Sequence, residues 1–275
     1  MTTPPWLIEL PTCESTNSWA LAHAEALAHG ACVWTTRQTA GRGRGSKRWY
    51  APPGVLTASF VLVQSSALAS RQLSLAAGLA VAHAVEDLTP RARISIKWPN
   101  DCYYDNRKLA GILCERSSSD ERVIIGIGLN LDPQWDQSPD QLPFALDSAA
   151  SVAEACLPED KRRVPTMPAM LQSLRRYLIE ASGMISADGW DKLLTPLRTR
   201  DWLRGKQVTV EDGAKQCSGQ AAGFDADGNL LLQEGTTVHR MQAGTVTATD
   251  TAPAAARSSR WFANPRRKSR GTPGS

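Results

Sequence analysis

Residues 97–115, KWPNDCYYDNRKLAGILCE, constrain this fold more than any other stretch. Ile94, Ile96 and Trp98 alternate with polar residues, the period of a half-buried strand. Pro99 cannot donate to a ladder, so the strand ends or bulges there. Asn100 and Asp101 supply short polar side chains suited to a turn. Tyr103-Tyr104 resumes a strand, Asp105-Asn106 turns it, and residues 107–114 return. Strict alternation on that return places Lys108 and Ala110 opposite Leu109, Gly111 and Leu113. Lys97, Asn100, Asp101 and Lys108 are thereby gathered near one end of a sheet. Alone, such a hairpin reads as a surface ribbon with solvated charges.

A second stretch, residues 38–49 (QTAGRGRGSKRW), changes that reading. It sets Arg42, Arg44, Lys47 and Arg48 in a glycine-rich loop closed by Trp49. It is not a Walker loop, because Ser46 and Arg48 stand where glycine and Ser/Thr are required. Nor is it G-x-G-x-x-G, because Ser46 is the sixth residue. Its glycines still permit close backbone approach to phosphate. Freezing such a loop costs about 1–2 kcal/mol per residue, so it is expected to stay mobile until an anionic ligand offsets that cost. The cationic loop and the lysine-bearing hairpin suggest two jaws for an anion with an apolar or aromatic tail. An RNA-binding module is the reading from another class, but RG-rich RNA segments are repeated and this one is single.

Hydrophobic residues make up 42%, which indicates a globular chain, and 275 residues suit one large domain or one domain and a small companion. No apolar run approaches 18 residues, and the N-terminus lacks a basic region followed by an apolar one, so neither membrane insertion nor secretion is expected. Cysteines 13, 32, 102, 114, 156 and 217 show no CxxC and read as reduced thiols of a cytoplasmic protein. The four histidines lack metal-binding spacing. The net charge of +4 is a property of the C-terminus: residues 251–275 carry six Arg/Lys and no acid, which leaves the first 250 at −2.

Along the chain, Ser15-Thr16-Asn17 precedes a helical pattern that Gly30 stops. Strands are expected over 32–37 and 55–63, and a helix over 71–88. Residues 122–131 read as a strand in which Gly126 and Gly128 leave room against the backbone. Residues 132–166 are proline-rich and irregular, with a short helix near 148–155; helices are expected over 168–180 and 187–200. Five short strands broken by Asp-Gly and Gly-Asn turns fill 205–249. The expected division is a catalytic domain over 1–203, a small β-barrel over 204–250 and a disordered basic tail over 251–275.

The set ESTN (14–17), QTAGRGR (38–44) with Trp49, KWPND (97–101), RKLAGIL (107–113) and IGIGLN (125–130), in this order and spacing, resembles the biotin protein ligases. The resemblance is strong over residues 6–131 and weak over the C-terminal segment. It implies an α/β (α+β) fold, a mixed sheet backed by helices, followed by an SH3-like barrel. It also implies a two-step activity. Biotin and ATP give biotinyl-5′-AMP and pyrophosphate, and a lysine of a biotin carboxyl carrier domain then displaces AMP. By position, Lys108 is the cation on the biotin carboxylate and α-phosphate, with Arg42 and Arg44 the other catalytic cations. Ser15, Thr16, Asn17 and Gln38 are placed on the ureido end of biotin. Arg42, Gly43 and Arg44 form the lid, and Gly111, Gly126 and Gly128 flank the rings. Arg42, Arg44, Lys47, Lys97, Asn100, Asp101, Lys108 and Asn130 are placed on ATP, with Trp49 over the adenine. Asn100 and Asp101 are the Mg²⁺ candidates. Ser46 and Lys47 depart from the glycine and arginine of many relatives; lysine keeps the charge but loses the planar fork. Because ESTN begins at residue 14, no helix-turn-helix domain, sequence-specific DNA binding or repressor function is expected. Monomer and homodimer both remain open, as does a lipoate or octanoate transferase of the same superfamily.

Overall fold

A computed structural model describes residues 3–63, 68–117, 121–138, 142, 144–156 and 164–248. The tail expected over 251–275 lies outside the described residues. Seven strands form the main sheet: β1 (Leu7–Leu10), β2 (Cys32–Thr35), β3 (Val55–Val63), β4 (Ser95–Lys97), β5 (Asp101–Tyr104), β6 (Arg107–Arg116) and β7 (Arg122–Asn130). Their order is β1-β2-β3-β7-β6-β5-β4, parallel between β1 and β2 and antiparallel elsewhere.

One face of this sheet is dry. Leu56, Ala58, Phe60, Ile125, Ile127, Ala110 and Ile112 pack with residues of α2 (Ser70–Leu88) and α4 (Met167–Asp188) in one buried cluster. The opposite face carries α1 (Thr16–Ala22) at one end, where Ala20 packs with Val33, Val61 and Ile124. Strand β3 is therefore covered on both sides, which explains its almost unbroken burial. Helix α4 runs well past Glu180, since nothing breaks its pattern before Gly189 at φ 83°. Helices α3 (Val152–Ala155) and α5 (Asp191–Thr199) complete the layer.

The second sheet comprises β8 (Gln207–Asp212), β9 (Lys215–Phe224), β10 (Leu230–Glu234), β11 (Thr237–Met241) and β12 (Thr245–Ala248). It is antiparallel, in the order β11-β10-β9-β8-β12. Its inward residues Val208, Val210, Phe224 and Leu230 share a core with Leu75 and Leu79 of α2, with Ile96 and Trp98, and with Leu193 and Leu197 of α5. Two indoles fasten this junction: Trp98 Nε1 donates to Gly228 O (3.1 Å) and Trp190 Nε1 to Ala226 O (2.7 Å). Asp201 sits at the same junction. Its Oδ1 accepts from Leu203 N (3.0 Å), whereas buried Oδ2 makes no hydrogen bond of normal geometry. Burial pushes this carboxyl up to about 6. Among the described residues no helix is long and apolar enough to cross a membrane.

Candidate active site

Cavity one, of about 200 Å³, opens on the polar face of the main sheet, between the arginine loop and the second sheet. Its floor is made by strand register. Gly128 pairs with Thr57 and Gly111, and Gly126 pairs with Ser59 and Leu113, so hydroxyls and bare backbone line one face. The glycines are required by what lies on them. A Cβ at Gly126 would fall 2.3 Å from Asn17 Oδ1, and one at Gly128 would fall 2.1 Å from Trp49 Cε2.

Lys108 reaches this floor through a β-bulge. The β5–β6 register shifts between Cys102 and Tyr103, so that Tyr103 pairs with Lys108 and Cys102 with Ala110. The residue between them, Leu109, is buried and unpaired in that ladder. Lys108 therefore shares a face with Asp101 and Gly111, where strict alternation sets it opposite Gly111. Its Nζ lies 2.7 Å from Asp101 Oδ1, and a Cβ at Gly111 would fall 3.4 Å from it.

At the other end, Ser15 is the N-cap of α1, its Oγ accepting from Ser18 N (3.4 Å), while Thr16 and Asn17 lie in the first turn. All three are buried. Gln38 Oε1 accepts from Thr16 N (3.0 Å). Ser59 Oγ lies 2.8 Å from Thr16 Oγ1 and 2.6 Å from Asn17 Oδ1. Asn17 Nδ2 donates to Leu113 O (3.1 Å) and to Glu115 Oε2 (2.8 Å), so both of its amide hydrogens are engaged.

The arginine loop is more ordered than its glycines suggest. Arg42 and Arg48 form a bridge, Gly43 N donates to Lys47 O (2.7 Å), and Trp49 N donates to Gly41 O (2.9 Å). Arg42 Nη2 lies 2.6 Å from Glu115 Oε2. Arg44 Nη2 donates to Gly244 O (2.5 Å) and Lys47 Nζ to Thr245 Oγ1 (3.5 Å), so the loop leans on the second sheet. Burial lowers the pKa of Arg44, against the pull of Asp101 and Asp212. Burial also lowers that of Lys97, aided by Lys108, Lys47 and Lys206 and opposed by Asp101. Lys97 Nζ donates to Tyr103 OH (3.2 Å). Among the residues lining the cavity these cations outnumber a single carboxylate, Asp101, which is the electrostatics of an anion site.

A neighbouring cavity of about 430 Å³ shares Lys47, Arg48, Trp49 and Lys108 with the first. Tyr50, Trp135 and Phe144 line it, with Phe144 edge-on to Tyr50 (6.2 Å) and to Trp135 (5.9 Å). Asn130 is a buried wall residue whose Nδ2 donates to Ala150 O (2.9 Å) and Lys108 O (3.3 Å). Trp49 divides the two spaces, with Lys108 Nζ 5.7 Å from its ring and its own Nε1 buried without a partner. Asn100 has its amide tied to Ile112 O (2.8 Å). The described residues hold no cluster of three or more His, Cys, Asp or Glu. Asp101 stands as the one carboxylate among the cavity-lining residues, the kind of ligand by which Mg²⁺ is carried with a nucleotide.

Residues 10–132 match the family model described as the biotin/lipoate A/B protein ligase family, and residues 204–246 match the biotin protein ligase C-terminal domain. A biotin–[acetyl-CoA-carboxylase] ligase of Paracoccus denitrificans is 43% identical over 82% of this chain and 92% of its own length. The chain belongs to the biotin protein ligase family. A Mycobacterium tuberculosis ligase of the same name is 32% identical over 84% of this chain and 85% of its own. The fold is also that of the Aquifex aeolicus biotin protein ligase in complex with biotin and ATP, with a TM-score of 0.75, 24% identity and coverage of 88% of this chain and 99% of that one. The C-terminal match and the named relatives are those of biotin protein ligases.

Around this ligase site stand residues that the sequence reading did not single out. Glu115 closes RKLAGILCE but looks like any strand-end acid. Gly244 precedes β12 and Thr245 and Val246 begin it, and their approach to Arg44 has no local signal. Tyr50, Trp135 and Phe144 left a usable one: three aromatics beside prolines in otherwise irregular chain.

Proposed function

We propose that this chain activates biotin with ATP to biotinyl-5′-AMP and then transfers the biotinyl group to a lysine of a biotin carboxyl carrier domain. The observation that carries the reading is the meeting of a polar-floored cavity and an aromatic-walled one at Lys108 and Trp49. In step one a biotin carboxylate oxygen attacks the α-phosphorus and pyrophosphate leaves. In step two the carrier amine attacks the acyl carbon, AMP leaves with the bond electrons, and the amine loses a proton. Lys108, Arg44 and Lys47 offset the negative charge that accumulates where carboxylate meets phosphate. Asp101 would hold Mg²⁺ carried with the nucleotide, and the ion would supply neutralisation of phosphate charge.

Ser15 accepts from Ser18 N and keeps its own proton to give the ureido oxygen. Asn17 Oδ1 has a second lone pair for a ureido N–H, while its amide hydrogens stay within the protein. The adenine lies among Trp49, Tyr50 and Phe144, with Asn130 at its edge. The division into a catalytic unit over 1–203 and a C-terminal unit over 204–250, and action in the cytoplasm with six free thiols, belong to the same reading. Incubating the protein with ATP, Mg²⁺ and biotin, and separately with octanoate or lipoate, tests it by mass spectrometry. Biotinyl-AMP is expected; its absence, or a preference for the other acids, ends the proposal. Arg44→Gly is expected to release the adenylate faster, and an unchanged release rate would remove Arg44 from the lid.

A further inference from the structure

Glu115 takes no part in the chemistry above, yet it stands where two parts of the acyl pocket meet. Its Oε2 accepts from Asn17 Nδ2 at 2.8 Å and lies 2.6 Å from Arg42 Nη2. Asn17 belongs to the helix that closes one end of the pocket, and Arg42 opens the loop that covers it. The two are brought onto one oxygen by the last turn of pleat in β6.

The contact decides an orientation. An amide side chain can be turned through half a rotation with little change in shape, exchanging its oxygen for its nitrogen. Here the carboxylate and Leu113 O accept both hydrogens, and Ser59 Oγ lies against the oxygen, so only one orientation satisfies every partner. That orientation presents Asn17 Oδ1 over Gly126, inside the cavity. Arg42 is about two-fifths exposed and Glu115 about a quarter, so the ion pair weighs little in global stability. Its effect is local: it ties the first arm of the loop to the pocket wall.

We infer that Glu115 is a positioning residue of the acyl pocket, orienting the Asn17 amide toward the ligand and tethering the Arg42 arm of the loop. The inference rests on the proposed ligase reading and concerns the organic acid rather than the nucleotide. A positioning residue at this place raises KM for biotin more than KM for ATP, because Asn17 lies on the acid and the loop reaches both ligands. It also governs loop exposure without any ligand, because the Arg42 tether is complete in the free protein.

The test uses the full chain and the variants Glu115→Gln and Glu115→Ala. Glu115→Gln keeps the shape and an acceptor for Asn17 but removes the charge facing Arg42. Biotin KM in pyrophosphate release is expected to rise roughly tenfold in Glu115→Ala and less in Glu115→Gln, the size of one charge-assisted hydrogen bond. ATP KM and kcat are expected to change less than biotin KM, and Tm to stay within a few degrees of wild type. Trypsin cleavage of the unliganded chain within 42–48 is expected to accelerate severalfold in both variants. Unchanged biotin KM in Glu115→Ala, an equal rise in ATP KM, or an unchanged cleavage rate overturns the inference. If Glu115→Ala does not fold, Glu115→Gln gives the same readings. Should wild type form no biotinyl-AMP, the ligase proposal falls, while the cleavage rates still decide whether the tether exists.

Discussion

The two faces of the main sheet are built from the same strands and obey different rules. On β3, Leu56, Ala58 and Phe60 face the helices and lie in the continuous core, while Thr57 lines the cavity and Ser59 lies beneath Thr16 and Asn17. On β7, Ile125 and Ile127 face the helices, while Gly126 lines the cavity and Gly128 lies under the Trp49 indole. The dry face is defined by volume. The cavity face is defined by missing side chains and by hydroxyls and amides that hold one another in place and keep some donors and acceptors for a ligand. Change on the first face should therefore register as stability, and change on the second as turnover or KM.

The sharpest way to break that contrast is Lys108→Ala. Its side chain is over a third exposed, so Tm should hold, while pyrophosphate release should fall roughly 10²–10³-fold for loss of one preorganised cation. Near-normal release would remove Lys108 from the chemistry. The counterpart on the dry face is Phe60→Ala, expected to cost about 3–5 kcal/mol in urea denaturation. Biotin KM of the folded fraction should not move, and a shifted KM would mean that the faces are coupled. Gly128→Ala comes next: the new methyl displaces the Trp49 indole, and adenylate formation should drop roughly 10- to 100-fold through misplacement. An unchanged rate would show that Trp49 does not set the geometry between the cavities.

The smallest effect belongs to the junction between the sheets, where Asp201 is an incompletely satisfied polar group on the apolar side. Its folded pKa is raised to about 6, so the native state holds its proton where the unfolded chain has lost it. Stability is thus lost as pH rises from about 4, the unfolded value, to about 6, and the cost persists above that. Asp201→Asn should stabilise by on the order of 1–3 kcal/mol at pH 7.5 and by almost nothing at pH 4. Equal stability at both pH values would mean that the group is well solvated.

Much of this was legible in the chain. The alternation of Ile94, Ile96 and Trp98, the turn at Asp105-Asn106 and the paired glycines 126 and 128 each carry a local signal, and each sits where that signal places it. The bulge at Leu109 was not legible. Leu109 and Ala110 are both apolar and both buried, so the pattern does not show which residue breaks the alternation. The contact of Arg44 with Gly244 spans 200 residues and involves a carbonyl, which no side-chain pattern encodes. Glu115 was hidden for a related reason: its importance comes from two partners brought together only by the fold.

The indole of Trp98 buries itself under the second sheet and hydrogen-bonds the Gly228 carbonyl, one residue from the proline that turns the chain toward Asn100 and Asp101. The C-terminal unit is therefore less a detachable cassette than a buttress. Severing the chain ahead of β8 would expose a tryptophan-sized wound in the larger partner, and both pieces should melt together when joined and aggregate when apart.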